Sequence, residues 1–226
     1  IYTLSLHDAL PIFDYDSTGA ENSTTDAVVS EIAEISKKND SKINLLEQTP
    51  NIQIINTISD LLKDICKANN TMEVNNENIA INKRIKIFML KKLPSISIKD
   101  YLLRLSKYSK ICSSTLRLIL IYIDRLCQKY KFKINYFNIY KFILTSMVIA
   151  IKFNEDEFYS SEFYAKLGGI SKAEMNFMEY EFLTMINFNL FVKEELFFKY
   201  HNLLINDGNE ELYEDEKEEK DDDEGE

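Results

Sequence analysis

The sequence predicts an all-α protein: a compact run of five helices with further helices on either side. Three observations carry this. Glycine (5) and proline (3) are scarce in 226 residues, too few to turn the chain of an all-β fold. Hydrophobic residues make up 45%, enough for one sizeable core. Apolar residues also recur at three- and four-residue spacing in one segment after another.

The first such segment is "TPNIQIINTISDLLKDICKANN", where Thr49 can cap, Pro50 suits the first helical position, and Ile55, Ile58, Leu62 and Ile65 share a face. An Asn-rich loop follows. Ser97 with Asp100 starts "SIKDYLLRLSKYSK", and Ser113 precedes "STLRLILIYIDRLCQKYK", with Leu116, Ile119, Ile123 and Cys127 along one side. Asn135 opens "YFNIYKFILTSMVIAIKF", apolar nearly all round and therefore the expected buried central helix. "SSEFYAKL" is a short helix ended by Gly168 and Gly169. Ser171 and Glu174 then form a capping box, with Ile170 and Met175 as its hydrophobic staple, and predict a helix to about Asn187. "VKEELFFKYHNLL" is the last helical pattern.

Domain organisation follows from composition. Residues 1–12, "IYTLSLHDALPI", are unlike the polar sequence after them and are read as translated adaptor sequence. Residues 13–48 are expected to be disordered or loosely helical, 49–205 to form the helical domain, and 206–226 to be an acidic disordered tail. The tail decides the net charge of −10: residues 210–226 hold twelve acids and two lysines, so the other 25 acids and 25 bases cancel. Within that neutral body, 83–133 carries fourteen Lys/Arg against Asp100 and Asp124, a stretch suited to acidic surfaces or to plain solvation.

Cys66, Cys112 and Cys127 lack metal or redox spacing, and the latter two are expected in the core. A reducing compartment, cytoplasm or nucleus, is expected, with no secretory leader and no membrane partner. Catalysis finds few candidates. Outside residues 1–12 there is one histidine, His201, and no Gly-rich phosphate loop or nucleophile elbow. The acids of "NEDEF" (Glu155, Asp156, Glu157) lack the spacing and glycine of a calcium loop. No cofactor, no metal and no enzymatic activity are expected.

Two charges stand out. In "KAEMNFMEYEFLTMINF", Glu179 falls on the stripe of Met175, Met178, Phe182, Leu183 and Ile186, where a carboxylate needs a cation. Lys152, late in the central helix, could serve. It could equally share a polar stripe with Lys141 and Thr145, or snorkel from the last helical turn.

Taken together, "IYIDRL" (121–126), "MVIAIKFNEDEFY" (147–159), "YAKLGGIS" (164–171) and "EMNFMEYEFLTMINFNL" (174–190) resemble the cyclin box. The resemblance is to P-type (U-type) cyclins, the group of the yeast phosphate-regulon cyclin, and it extends over residues 53–203. It implies a five-helix cyclin box with flanking N- and C-terminal helices, and a non-catalytic subunit that binds and activates a cyclin-dependent Ser/Thr kinase. It further implies that Lys152 and Glu179 pair and contact the kinase small lobe near its C-helix. Ile149, Phe153, Leu183 and Phe188 map onto the apolar kinase-facing positions. Asp124 is expected to form a structural pair with Arg104. Substrate recruitment through a hydrophobic patch on the first box helix is not implied, since that motif is absent. A cyclin-fold scaffold recruiting a non-kinase partner is the alternative, and nucleic acid is not an expected partner.

Overall fold

Serine side chains write three of the helix starts among the described residues. The computed structural model describes residues 51–69 and 83–206. The adaptor-like segment, residues 13–48, the Thr49–Pro50 start, most of the Asn-rich loop and the acidic tail lie outside the described residues. Among the described residues the α-helices are α1 (Asn51–Ala68), α2 (Ile98–Ser109), α3 (Ser113–Tyr130), α4 (Ile139–Asn154), α5 (Ser161–Gly168), α6 (Lys172–Met185) and α7 (Glu194–Asn206), with a 3-10 turn at Lys86–Phe88 and no strand. Helices α2 to α6 are the five-helix box, and α1 and α7 flank it.

Ser97, Ser160 and Ser171 cap α2, α5 and α6, each accepting the backbone N–H three residues on. Each such cap is worth about 1 kcal/mol. Two expected starts differ. Cys112, not Ser113, is the N-cap of α3, because its sulfur accepts from the Thr115 N–H at 3.4 Å. Asn135 opens a turn rather than a helix: its side chain accepts from the Phe137 N–H and Asn138 accepts from the Asn135 N–H, so α4 begins at Ile139.

Helix α4 is the centre. Every residue from Ile139 to Ile151 except Lys141 is buried. The hydroxyls of Thr145 and Ser146 return to the helix's own carbonyls at Lys141 and Phe142, both at 2.7 Å, which lets them sit in the core without other partners. Helix α3 packs along α4, and α2, α5 and α6 complete the wall around it. Phe142 stacks on Phe88 at 4.4 Å between ring centroids and meets Phe182 edge-on at 6.3 Å, so the linker and α6 lock onto the same ring. The end of α5 comes very close: a Cβ on Gly168 would stand 2.2 Å from Leu144 Cδ2. Gly169 then takes φ +73° as the left-handed cap. Among the described residues no helix is long and apolar enough to cross a membrane.

Candidate functional site

Two helix ends and the middle of a third helix bring one cluster of charge to the surface. Lys152 lies in the last turn of α4, Ser161 is the first residue of α5, and Glu179 is midway along α6. Lys152 Nζ donates to both carboxylate oxygens of Glu179 at 2.8 Å and to the Ser161 hydroxyl at 3.0 Å. The ammonium thus spends all three of its N–H groups, while each Glu179 oxygen keeps acceptor capacity for an incoming donor. The pair is half-sunk: 26% of the Lys152 side chain and 16% of the Glu179 side chain are exposed. A last-turn lysine also meets the negative end of the α4 dipole.

The expected polar stripe on α4 is interrupted, because Thr145 between the two lysines is buried and bonds its own helix. Lys141 bonds Glu174 at 2.7 Å and the Ile87 carbonyl at 2.8 Å, so both lysines of the central helix find glutamates of α6. This leaves the Ser171 capping box half-formed: Ser171 accepts the Glu174 N–H at 3.1 Å, but the Glu174 side chain turns to Lys141.

Around the pair, Phe153 is 52% exposed and Phe188 62%, with Leu183 half-buried one turn beyond Glu179. Ile149 does not join this rim. It is 2% exposed, because its position one turn before Lys152 faces the inside of the bundle. The chemistry available is recognition, a polar acceptor inside an apolar border. Glu155 of the neighbouring acidic loop accepts the Cys112 N–H at 3.2 Å and so ties that loop to the start of α3. Hydrogen bonds from Cys112 and Thr115 hold its carboxyl below the usual range, overcoming the opposing effect of burial, which is the largest single influence. Among the described residues no three His, Cys, Asp or Glu side chains are grouped to hold a metal ion.

The sequence model of the family described as Cyclin matches residues 19–190, well over half of the chain. The chain belongs to the cyclin family. Among curated relatives, Cyclin-U4-1 of Arabidopsis thaliana is 34% identical over 153 residues, covering 67% of this chain and 74% of the relative. PHO85 cyclin-7 of Saccharomyces cerevisiae is 33% identical over 189 residues, covering 76% and 66%. Cyclin-U4-3 of Arabidopsis thaliana is 40% identical over 126 residues, but there the match spans only 58% of the relative's length, against 55% of this chain. The cyclin is therefore of the U/P type, akin to PHO85 cyclins.

One expected pair is not formed in this cyclin. Asp124 is buried and its Oδ2 accepts from the Tyr200 hydroxyl at 2.6 Å and from Gln128, not from Arg104. The Arg104 guanidinium lies instead over the Tyr101 ring at 5.2 Å. Helix α2 packs on α1, α4 and α5, so its arginine is not directed at α3, whereas α7 lies directly on α3 and supplies Tyr200. Cys112 also departs from expectation: it is exposed at the α3 cap, while Cys66 and Cys127 are buried, and burial pushes the Cys66 thiol up to about 12. Ser161, the second partner of Lys152, has no distinct signal in the sequence, because a serine at a helix start reads simply as a cap.

Proposed function

We propose that this cyclin is the non-catalytic regulatory subunit of a cyclin-dependent Ser/Thr kinase, and that it docks on the kinase small lobe through Lys152 and Glu179. The supporting observation is the pair itself: a lysine and a glutamate joined at 2.8 Å, half-exposed, on a face bordered by exposed phenylalanines. Such a site accepts backbone N–H groups at the start of a kinase helix, while Phe153, Leu183 and Phe188 exclude water around it. Binding then favours the kinase state in which its own Lys–Glu pair and activation loop are aligned. The name of the Saccharomyces cerevisiae relative, PHO85 cyclin-7, makes a PHO85-type kinase the first to try.

The test is affinity purification followed by a phosphotransfer assay. Lys152→Glu places two carboxylates face to face and is expected to weaken kinase recovery about a hundred-fold or more, with the fold intact by circular dichroism. Normal binding and activation by a Lys152→Glu, Glu179→Ala double variant would reject the site. A stable complex without phosphotransfer would favour the scaffold reading instead.

A further inference from the structure

The loop after α6 holds one residue, Phe188, in a shape that its type disfavours. Asn187 and Phe188 have φ of 55° and 54°, and phenylalanine in that region crowds its Cβ against a neighbouring carbonyl. From this turn two phenylalanines face outward, Phe188 at 62% exposure and Phe191 at 69%. Neither exposure gains anything for folding.

Helix α3 holds the loop in place. Tyr122 donates its hydroxyl to the Leu190 carbonyl at 2.9 Å. Arg125 donates to the Asn189 carbonyl at 2.7 Å and to the Phe191 carbonyl at 2.8 Å. Lys129 and Tyr130 donate to the Met185 carbonyl, at 2.7 and 2.9 Å. Tyr122, Arg125 and Lys129 follow one another at helical spacing on one face, so a single stripe collects the carbonyls at the end of α6 and beyond it. Arg125 alone grips two of them with one rigid planar group. On its other side Phe188 donates its N–H to the Leu183 carbonyl at 2.8 Å, and so is pinned from both directions.

We propose that Arg125 is a positioning residue for kinase docking. It fixes the strained 187–191 turn so that Phe188 extends the apolar border of the Lys152–Glu179 site. The inference rests on the kinase-binding reading above. The occupant is the same kinase small lobe, because the turn continues that surface: Leu183 lies one turn after Glu179 on α6 and is hydrogen-bonded to Phe188.

The probe is the purified kinase subunit recovered with, and activated by, the wild-type chain. Phe188→Ala is expected to weaken its affinity about thirty-fold, as for an anchor side chain, and Arg125→Ala about ten-fold. The double variant should bind no worse than Phe188→Ala alone, since Arg125 acts through that side chain. Arg125→Lys, whose ammonium can serve one carbonyl well, should fall between wild type and Arg125→Ala. Amide exchange at 188–190 should quicken in Arg125→Ala while the interiors of α3 and α6 stay protected. Losses that simply multiply in the double variant would overturn the proposal. So would wild-type affinity in both Arg125 variants while Lys152→Glu still abolishes binding, which leaves the kinase reading standing. If Lys152→Glu has no effect either, that reading falls, and this inference with it.

Discussion

Two polar clusters sit among the apolar helices of this cyclin, and they are built in opposite ways. At the Lys152–Glu179 site the charges are half-exposed, directly paired, and joined by a hydroxyl. Along the seam between α3 and α7, Asp124, Arg117, Tyr200 and His201 are all buried. Tyr200 and Gln128 meet Asp124, and Arg117 donates to the Ser113 carbonyl. A half-exposed pair gives up little when it takes on another partner, because water already shares its charge. A buried polar seam has no such freedom and instead fixes how α7 lies on the box. The difference separates a recognition site from a structural one.

The comparison can be broken most strongly at Asp124. Asp124→Ala removes the acceptor for a buried tyrosine hydroxyl and should cost about 3 kcal/mol in urea unfolding, with kinase affinity per folded molecule unchanged. An equal loss of affinity would erase the distinction between the two clusters.

Acid should act next, and on the same seam. Burial first, and then the Arg117 charge, lower the His201 imidazole from 6.5 to about 4. Between those values the unfolded chain binds a proton that the folded chain does not. Stability is therefore complete above 6.5 and declines as pH falls toward 4. His201→Leu should flatten that decline when denaturation is compared at about pH 7 and about pH 5.

Arg117 offers a test of opposite sign. It is fully buried and burial lowers its proton affinity, to about 10. Arg117→Met keeps much of the volume without the desolvated charge and should leave stability unchanged or raise it by about 1 kcal/mol, read as the thermal midpoint. The smallest change belongs to the recognition site. Glu179→Ala should shift unfolding by less than about 1 kcal/mol while binding to the kinase collapses. A large loss of stability there would place the pair with the seam rather than with the interface.

Much of the architecture is legible in the sequence. Ser97 and Ser171 mark helix starts because a hydroxyl acceptor needs only the N–H three residues on. The unbroken apolar run of α4 marks a helix enclosed on every side. Glu179 was readable as an anomaly, a carboxylate on an apolar stripe, and the cyclin-like motifs supplied its partner. Arg104 and Ile149 show the limit. Each has the right residue type at a plausible position, but nothing local states which way its helix is turned.

By itself, then, the sequence determined the all-α class, the order of the box helices and the identity of the two charges needing an explanation. These rest on interactions within a few residues, which periodicity and capping express directly. Only the tertiary structure decided that Tyr200 rather than Arg104 meets Asp124, that Ser161 joins Lys152, and that Arg125 reaches across 64 and 66 residues to hold a strained turn. Those contacts depend on helix crossing and rotation, which are set by the packing of the whole core.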